Sequence, residues 1–342
     1  MSSAFIDFRN IMCYSKFSLN YGGGIMPFMF RRVFSIVISI FLFLSTAEGV
    51  KYEPKDAENI KLNAVILSDV HIEGNNPDRW QRFGKTLKGV YANKTKPDVV
   101  AFAGDNTMNG QWIEWFDYYG LLNRFNKKSE ILVGFGNHDF GNNDDAETYA
   151  ELSKRCIKCY NGYIGGKIDK VYYSKEINGY KFIMLASEQN LDNLVSSISD
   201  EQIEWLKAEL KEAADEGKPA FVVNHNLVEG KNGFRSDWDF NVTDNNKALA
   251  DTLENAGTKV IYFCGHSHVA LRSDSVQTYG NATYVNLPSA GNTGNYYPEN
   301  DGYDDFGIGC NLEVYENSMV LRFRNFAKGE WLEGYDDIVI GI

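Results

Sequence analysis

All five histidines of this 342-residue chain fall in short segments that also carry carboxylates or a carboxamide: Asp69-Val70-His71, Gly136-Asn137-His138-Asp139, Asn224-His225 and Gly265-His266-Ser267-His268. Gly104-Asp105 lies between the first two. These donors suit a pair of transition-metal ions. Two such ions, about 3.5–4 Å apart, can bind phosphate oxygens, lower the pKa of a water between them and neutralise charge in a displacement at phosphorus. Asp69 and His71, two apart at the end of a strand, project to one side and can reach one metal. Asp105 follows a glycine whose missing side chain lets a tight turn place a carboxylate between two metals. Asn137 offers a neutral carbonyl oxygen to the second metal. His225, His266 and His268 complete the shells, the last two bracketing Ser267 so that their rings can address different ions. His138 follows a ligand directly and is assigned to the leaving-group oxygen as general acid. Asp139 is expected to orient that ring and raise its pKa. The chemistry this predicts is in-line attack on phosphorus by a hydroxide shared between two metals. A single histidine at a strand end reads more readily as a structural residue, and it is the joint occurrence of all five that argues for metal.

The elements that must position these residues are legible around them. Residues 62–68, 98–103, 131–135, 220–224 and 260–264 are short runs rich in Val, Ile and Phe, as buried strands are, and each ends at a candidate ligand. Open α/β sheets bind ligands at the carboxyl ends of their strands, where loops from distant parts of the chain converge. Helices are predicted at about 77–91, 111–127, 144–155, 200–214 and 245–256. The fourth has Ser199 and Gln202 spaced as a capping box and Gly217-Lys218-Pro219 as its stop. Residues 172–177 and 180–185, split by Asn178-Gly179, predict a hairpin. The last third, with strand-like runs at 283–287, 311–315 and 320–326 and no helices between them, predicts a second sheet packed on the first. Trp112 and Trp115, at helical spacing, read as core. The loop 292–306, with Tyr296, Tyr297 and Tyr303, reads either as a wall of the cleft or as an ordinary packed loop, and Glu73 receives no role.

The N-terminus reads as an address. Arg31-Arg32 precedes the apolar run Val33 to Leu44, and Ser45-Thr46-Ala47 supplies small residues where a signal peptidase cuts. The run is shorter than the ~20 residues a membrane span needs. Residues 1–47 are therefore expected to be a signal peptide, with an uncleaved anchor or a buried core helix as the other readings, and residues 1–25 could lie upstream of the true start. The expected location is secreted, periplasmic or lumenal, with a membrane as partner only if the segment is uncleaved. Residues 1–47 hold four of the 34 Lys and Arg and one of the 46 Asp and Glu, which leaves residues 48–342 at a net charge of −15. That balance argues against a nucleic-acid polymer as partner and favours a small phosphate ester, because divalent cations reverse the sign of the field only inside the cleft. Cys156 and Cys159 could form a local disulfide or remain thiols. No repeat or low-complexity linker divides residues 48–342.

Taken in order, Asp69-x-His71, Gly104-Asp105, Gly136-Asn-His-Asp139, His225 and Gly265-His-Ser-His268 resemble the five motifs of the calcineurin-like metallophosphoesterase superfamily, over residues 62–270. Each motif alone is weak, but five in order, each after a strand, are specific. The resemblance implies a four-layer α/β/β/α sandwich for residues 48–342, two mixed sheets face to face with helices outside. It also implies two divalent or trivalent ions drawn from Fe, Mn and Zn, and phosphomonoesterase or phosphodiesterase activity. By position it places Asp69, His71 and His268 on one metal, Asn137, His225 and His266 on the other, and Asp105 between them. Met108 stands where purple acid phosphatases carry a tyrosine, and Gly104-Asp-Asn-Thr-Met-Asn-Gly110 departs from the Ser/Thr phosphatase motif. What remains is similar to class III cyclic-nucleotide phosphodiesterases and related exported phosphoesterases. A nucleotide or sugar phosphomonoesterase is the alternative on the same site. A non-catalytic scaffold is the reading from a different class, and such scaffolds tend to lose ligands that are all kept here.

Overall fold

The apolar runs that end at the candidate ligands are strands in the computed structural model, which describes residues 49–342 apart from 127, 142–147, 190–195, 232–241 and 293–304. β1 (Leu62–Leu67), β2 (Val99–Ala103) and β3 (Glu130–Gly134) pair in parallel, and every residue of the first two is buried. β4 (Tyr173–Ile177) and β5 (Tyr180–Met184) form the expected antiparallel hairpin. Its turn residues Asn178 and Gly179 have φ of 52° and 78°, both positive as a type I′ turn requires. β6 (Ser196–Ser197) and β8 (Val242–Asp244) make a small separate pair around β7 (Ala220–Val223) in sequence. β7, β9 (Val260–Cys264) and β11 (Ala282–Asn286) continue the second sheet in parallel beside β5, and β10 (Val276–Tyr279) closes its edge antiparallel to β11.

The last third of the chain does not build a sheet of its own, contrary to the sequence reading. β12 (Ile308–Val314) pairs antiparallel with the free edge of β1, Leu62 opposite Val314, and β13 (Ser318–Asn325), β14 (Glu330–Trp331) and β15 (Ile338–Gly341) extend that first sheet. β10 and β11 go to the second sheet instead. The apolar pattern shows only that these runs are strands; the edges left open by β1 and β9 decide where they add. The result is two mixed sheets, ordered β14-β13-β12-β1-β2-β3 with β15 on β13, and β10-β11-β9-β7-β5-β4.

Among the described residues five α-helices cover the outer faces: α1 (Pro77–Val90), α2 (Trp112–Phe125), α3 (Tyr149–Ile164), α4 (Asp200–Asp215) and α5 (Asn246–Glu254). α4 and α5 bury Ile203, Leu206, Leu210, Leu249 and Leu253 against Ile183, Val222, Tyr262 and Tyr284 of the second sheet. The alternate residues Phe182, Met184, Phe221 and Phe263 are equally buried and point to the other face of that sheet. There they meet the first sheet, where Gly134 of β3 lies beside Met184 and the Tyr173 hydroxyl bonds the backbone of Val133. On the far side of the first sheet, Phe83 of α1 stacks on Tyr118 of α2 with centroids 5.3 Å apart, and both rings meet Phe102 of β2 edge-on. The order is helix, sheet, sheet, helix, as expected.

α3 begins later and runs longer than predicted. Thr148 and Glu151 form a reciprocal capping box at its start, and Leu152, Cys156, Cys159 and Tyr160, at helical spacing, bury one face. Cys156 and Cys159 are buried thiols, as are Cys264 and Cys310. At α4 only half of the predicted capping box forms. Ser199 Oγ accepts from the Gln202 N–H at 3.1 Å, but the Gln202 carboxamide bonds both backbone groups of Ala186. The two tryptophans of α2 part company, Trp115 fully buried and Trp112 exposed with Arg155 and Lys158 over its ring. Among the described residues no helix is long and apolar enough to cross a membrane. The expected N-terminal address (1–47) and most of the 292–306 loop lie outside the described residues.

Asp117 on α2 supplies a stability prediction. Burial, with Glu114 nearby, raises its carboxyl to about 7, against an ordinary value near 4. Because the folded state holds the proton more tightly than the unfolded chain, stability falls as pH rises from about 4 to about 7 and then levels. Asp117→Asn removes this cost. Thermal unfolding is expected to show the variant more stable than the parent by about 1–2 kcal/mol at pH 8, after allowance for solvent screening of a half-buried group, and equal to it at pH 4.

Candidate metal centre

Each loop that leaves a strand end is tied to its neighbour by the backbone. The Asp69 N–H donates to the Gly104 carbonyl, His71 N–H to Asp105 and Ile72 N–H to Asn106, so the first two motifs run side by side. Gly265 N–H donates to the His225 carbonyl and joins the last two. Gly291 N–H and the Ser289 hydroxyl both donate to the Asp69 carbonyl from the far side. These turns are tight enough that Asp69, His71, Asp105, His266 and His268 all adopt left-handed backbone, with φ between 49° and 67°. They make up five of the nine non-glycine residues of that kind among the described residues, so backbone strain of about 1–3 kcal/mol each is concentrated at this site.

Gly104 has φ +88°, and a Cβ there would lie 2.6 Å from His225 Nδ1, so the glycine is needed for the turn and for the approach of the ring. A Cβ on Gly265 would overlap Ser68 Oγ and Asp69 Oδ2. Gly265→Ala is therefore expected to push Asp69 off its position and cost about 1–3 kcal/mol, read as a lower unfolding temperature together with reduced metal content.

The seven predicted ligands come together. His268 Nε2 lies 3.1 Å from Asp69 Oδ1 and 2.9 Å from His71 Nε2, which is itself 3.6 Å from Asp105 Oδ2. His225 Nε2 lies 3.2 Å from the same Asp105 Oδ2, 3.1 Å from Asn137 Oδ1 and 3.0 Å from His266 Nδ1. The donor atoms of Asp69, His71, Asp105 and His268 fall within 4.8 Å of one another, as do those of Asp105, His225 and His266. Asp105 belongs to both groups. Its Oδ1 accepts from the His138 N–H at 2.9 Å, which leaves Oδ2 facing the two clusters.

The chemistry of these atoms fits a pair of cations. The His225 Nδ1 faces the Ala103 carbonyl at 2.8 Å, and a carbonyl only accepts, so that nitrogen carries the proton. Nε2 is then a lone pair facing two acceptor oxygens and the His266 Nδ1, the orientation of a ligand imidazole whose other nitrogen is fixed by a backbone carbonyl. Burial opposes a charge on His225, yet Asp105 outweighs it and raises the ring to about 9. His71 behaves oppositely. It stands farther from the Asp105 carboxylate, and burial depresses it to about 4, so it is a neutral donor near neutral pH. Burial also opposes the charges on Asp69 and Asp105, but the His268 ring at the first and the His225 ring at the second hold both carboxyls well below the usual range.

His138 stands at the rim, half-buried, its ring 4.7 Å from that of His71 and edge-on to it. Its Nδ1 bonds the carbonyl of Met108 at 2.8 Å. This corrects the role expected of Asp139, whose carboxylate does not meet the His138 ring. Asp139 turns inward, fully buried, and accepts from Gly136 N–H, from the N–H and carboxamide of Asn106, and from the N–H and hydroxyl of Thr107, at 2.8–3.2 Å. It ties the Asp105 loop to the Asn137 loop. Burial, then Asp105, raises its carboxyl to about 6. The reason for the difference is the 3₁₀ turn His138–Phe140, which turns consecutive side chains about a third of a revolution apart. Asn106, Thr107, Ser289 and the Met108 carbonyl went unnoticed in the sequence, because a backbone oxygen has no sequence signature and a polar residue beside a ligand is common by chance.

Comparison with known proteins agrees with this geometry. Residues 62–270 match the calcineurin-like phosphoesterase family. A probable cyclic nucleotide phosphodiesterase from Rhodococcus erythropolis is 24% identical over 281 residues, which cover 75% of this chain and 81% of that protein. A dimetal phosphatase from Danio rerio has the same fold at 13% identity with a TM-score of 0.58, over 83% of this chain and 99% of the other. A purple acid phosphatase from yellow lupin seeds aligns at 15% identity with a TM-score of 0.59, over 82% of this chain and 53% of that one. Two mixed sheets between helices, the ordered motifs at their strand ends and a match over most of the folded region lead to one conclusion: the chain belongs to the calcineurin-like phosphoesterase family and is a metal-dependent phosphoric ester hydrolase.

Proposed function

We propose that the protein is an exported two-metal phosphoesterase acting on small phosphate diesters, with phosphomonoesters as the alternative. The observation that carries the two-metal reading is Asp105 Oδ2, which faces His71 on one side and His225 on the other. In this reading Asp69, His71 and His268 hold one ion, Asn137, His225 and His266 the other, and Asp105 both; Fe, Mn and Zn all suit carboxylate and imidazole donors. Bound cations supply Lewis acidity toward phosphate oxygens and lower the pKa of water.

The chain's own residues do the rest. Asn137 Oδ1, 3.1 Å from His225 Nε2, keeps a neutral donor at the rim, and the turn that carries it is fixed by Asp139. His138, with Nδ1–H committed to Met108, has Nε2 left to protonate the oxygen that departs from phosphorus. The preference for diesters rests on the likeness to the Rhodococcus protein. The reading of export rests on Arg31-Arg32, the apolar run after them and Ser45-Thr46-Ala47. Metal analysis of purified protein, with rates on p-nitrophenyl phosphate and bis(p-nitrophenyl) phosphate, tests the proposal. About two ions per chain and a higher kcat/KM on the diester are expected; no bound metal and no turnover of either ester would end it.

A further inference from the structure

Glu114, in the first turn of α2, is 2% exposed. Its carboxylate accepts four N–H donors: Gln111 N–H at 3.1 Å, Asn109 N–H at 2.9 Å, Asn109 Nδ2 at 3.0 Å and Gly74 N–H at 3.3 Å. The Gln111 bond alone would serve as a helix cap. The other three reach beyond the helix. Gly74 follows the Asp69–His71 loop, and Asn109 follows Met108, whose N–H donates to the Ile72 carbonyl at 2.8 Å and whose carbonyl faces His138 Nδ1 at 2.8 Å. One buried carboxylate thus holds both segments that flank the oxygen orienting the His138 ring.

We propose that Glu114 is a positioning residue for proton delivery by His138: by fixing the Met108 carbonyl it fixes Nδ1 as the bonded nitrogen and leaves Nε2 to serve the leaving group. The inference rests on the phosphoesterase reading for its kinetic consequence but not for its structural one. In the step concerned, the bond between phosphorus and the leaving oxygen breaks as a bond to the oxygen of water forms. The Nε2 proton passes to the leaving oxygen, the ring becomes neutral with its proton on Nδ1, and the proton lost by water returns through solvent.

Two readouts test this on the full chain. The first compares Glu114→Gln with the parent, each loaded with zinc, on p-nitrophenyl and phenyl phosphate esters. A phenyl leaving group needs the proton more. The variant is expected to keep its zinc, to lose about 10–100-fold in kcat on the phenyl ester and only about 2–3-fold on the p-nitrophenyl ester, and to change KM little. The second is the long-range proton–nitrogen NMR spectrum of the five histidine rings in the metal-free and zinc-loaded protein, with the His138 signal identified by its loss in His138→Ala. The parent is expected to show a single Nδ1–H tautomer for His138, and Glu114→Gln a mixture. An equal loss on both esters, or an unshifted His138 signal, would overturn the proposal. If Glu114→Gln does not fold, Asn109→Ala removes one of the four bonds while leaving the Gln111 cap, and a smaller shift in the same direction is required. If the parent turns over neither ester, the functional reading has failed and the ring spectrum still decides the role of Glu114.

Discussion

Replacing Asp105 by alanine will strip the protein of both metal ions and lower kcat/KM on any phosphate ester by more than about 10³-fold. The residue is the one side chain common to both donor clusters, and its Oδ1 also holds the backbone of His138 through the 2.9 Å bond to that N–H. Loss of the carboxylate removes an anionic ligand from each cation and releases the rim turn. It also takes from His225, a buried base raised to about 9, the main partner that favours its charged form, leaving only Asp69 and the Ala103 carbonyl to do so. Metal content by elemental analysis and unfolding temperature should fall together with turnover, because ions that bind only the folded state stabilise it by mass action. A variant with full metal content and slow turnover would mean that another group bridges.

His138→Ala should behave in the opposite way on metal. The ring is not among the groups whose donors converge, and its contacts are the Met108 carbonyl and the edge of His71. Bound metal is expected to remain at the parent level while kcat falls by about 10²–10⁴-fold, the range in which a positioned general acid contributes. The loss should grow with the basicity of the leaving group. An unchanged kcat would remove the acid role, and loss of one ion would make His138 a ligand. Together with Asp105→Ala, this variant separates binding of the ions from use of the proton.

These expectations rest on features that differ in how visible they are in the sequence. The ligand set is local in the chain: every member sits within four residues of the end of an apolar strand, and a strand ending in Asp, Asn or His beside glycine is an unusual pattern that can be read without coordinates. Parallel strands put their carboxyl ends on one edge of each sheet, so residues nearly 200 positions apart, such as His71 after β1 and His268 after β9, meet once the two sheets pack face to face. The hairpin at Asn178-Gly179 was legible for the same kind of reason, since two adjacent residues specify their own backbone.

What failed depended on partners far away. The start and end of α3 followed from Thr148 and from the face that buries Cys156 and Cys159, and the destination of β10 to β15 followed from which strand edges were open. The mispredicted role of Asp139 belongs here too. Its neighbour in sequence is His138, but the 3₁₀ turn sends its carboxylate to Asn106 and Thr107, more than thirty residues upstream.

By itself the sequence determined the chemistry: five histidines, three carboxylates and an asparagine, spaced for strand ends, specify a metal-dependent phosphoesterase because donor type and strand periodicity are local properties. Only the tertiary structure decided which oxygen holds which ring. Met108 orients His138, Ala103 orients His225, and Glu114 and Asp139 brace the loops that carry them. Those partners are backbone carbonyls and buried carboxylates, whose effect comes from distance and direction across the fold, and neither is written in the order of residues along the chain.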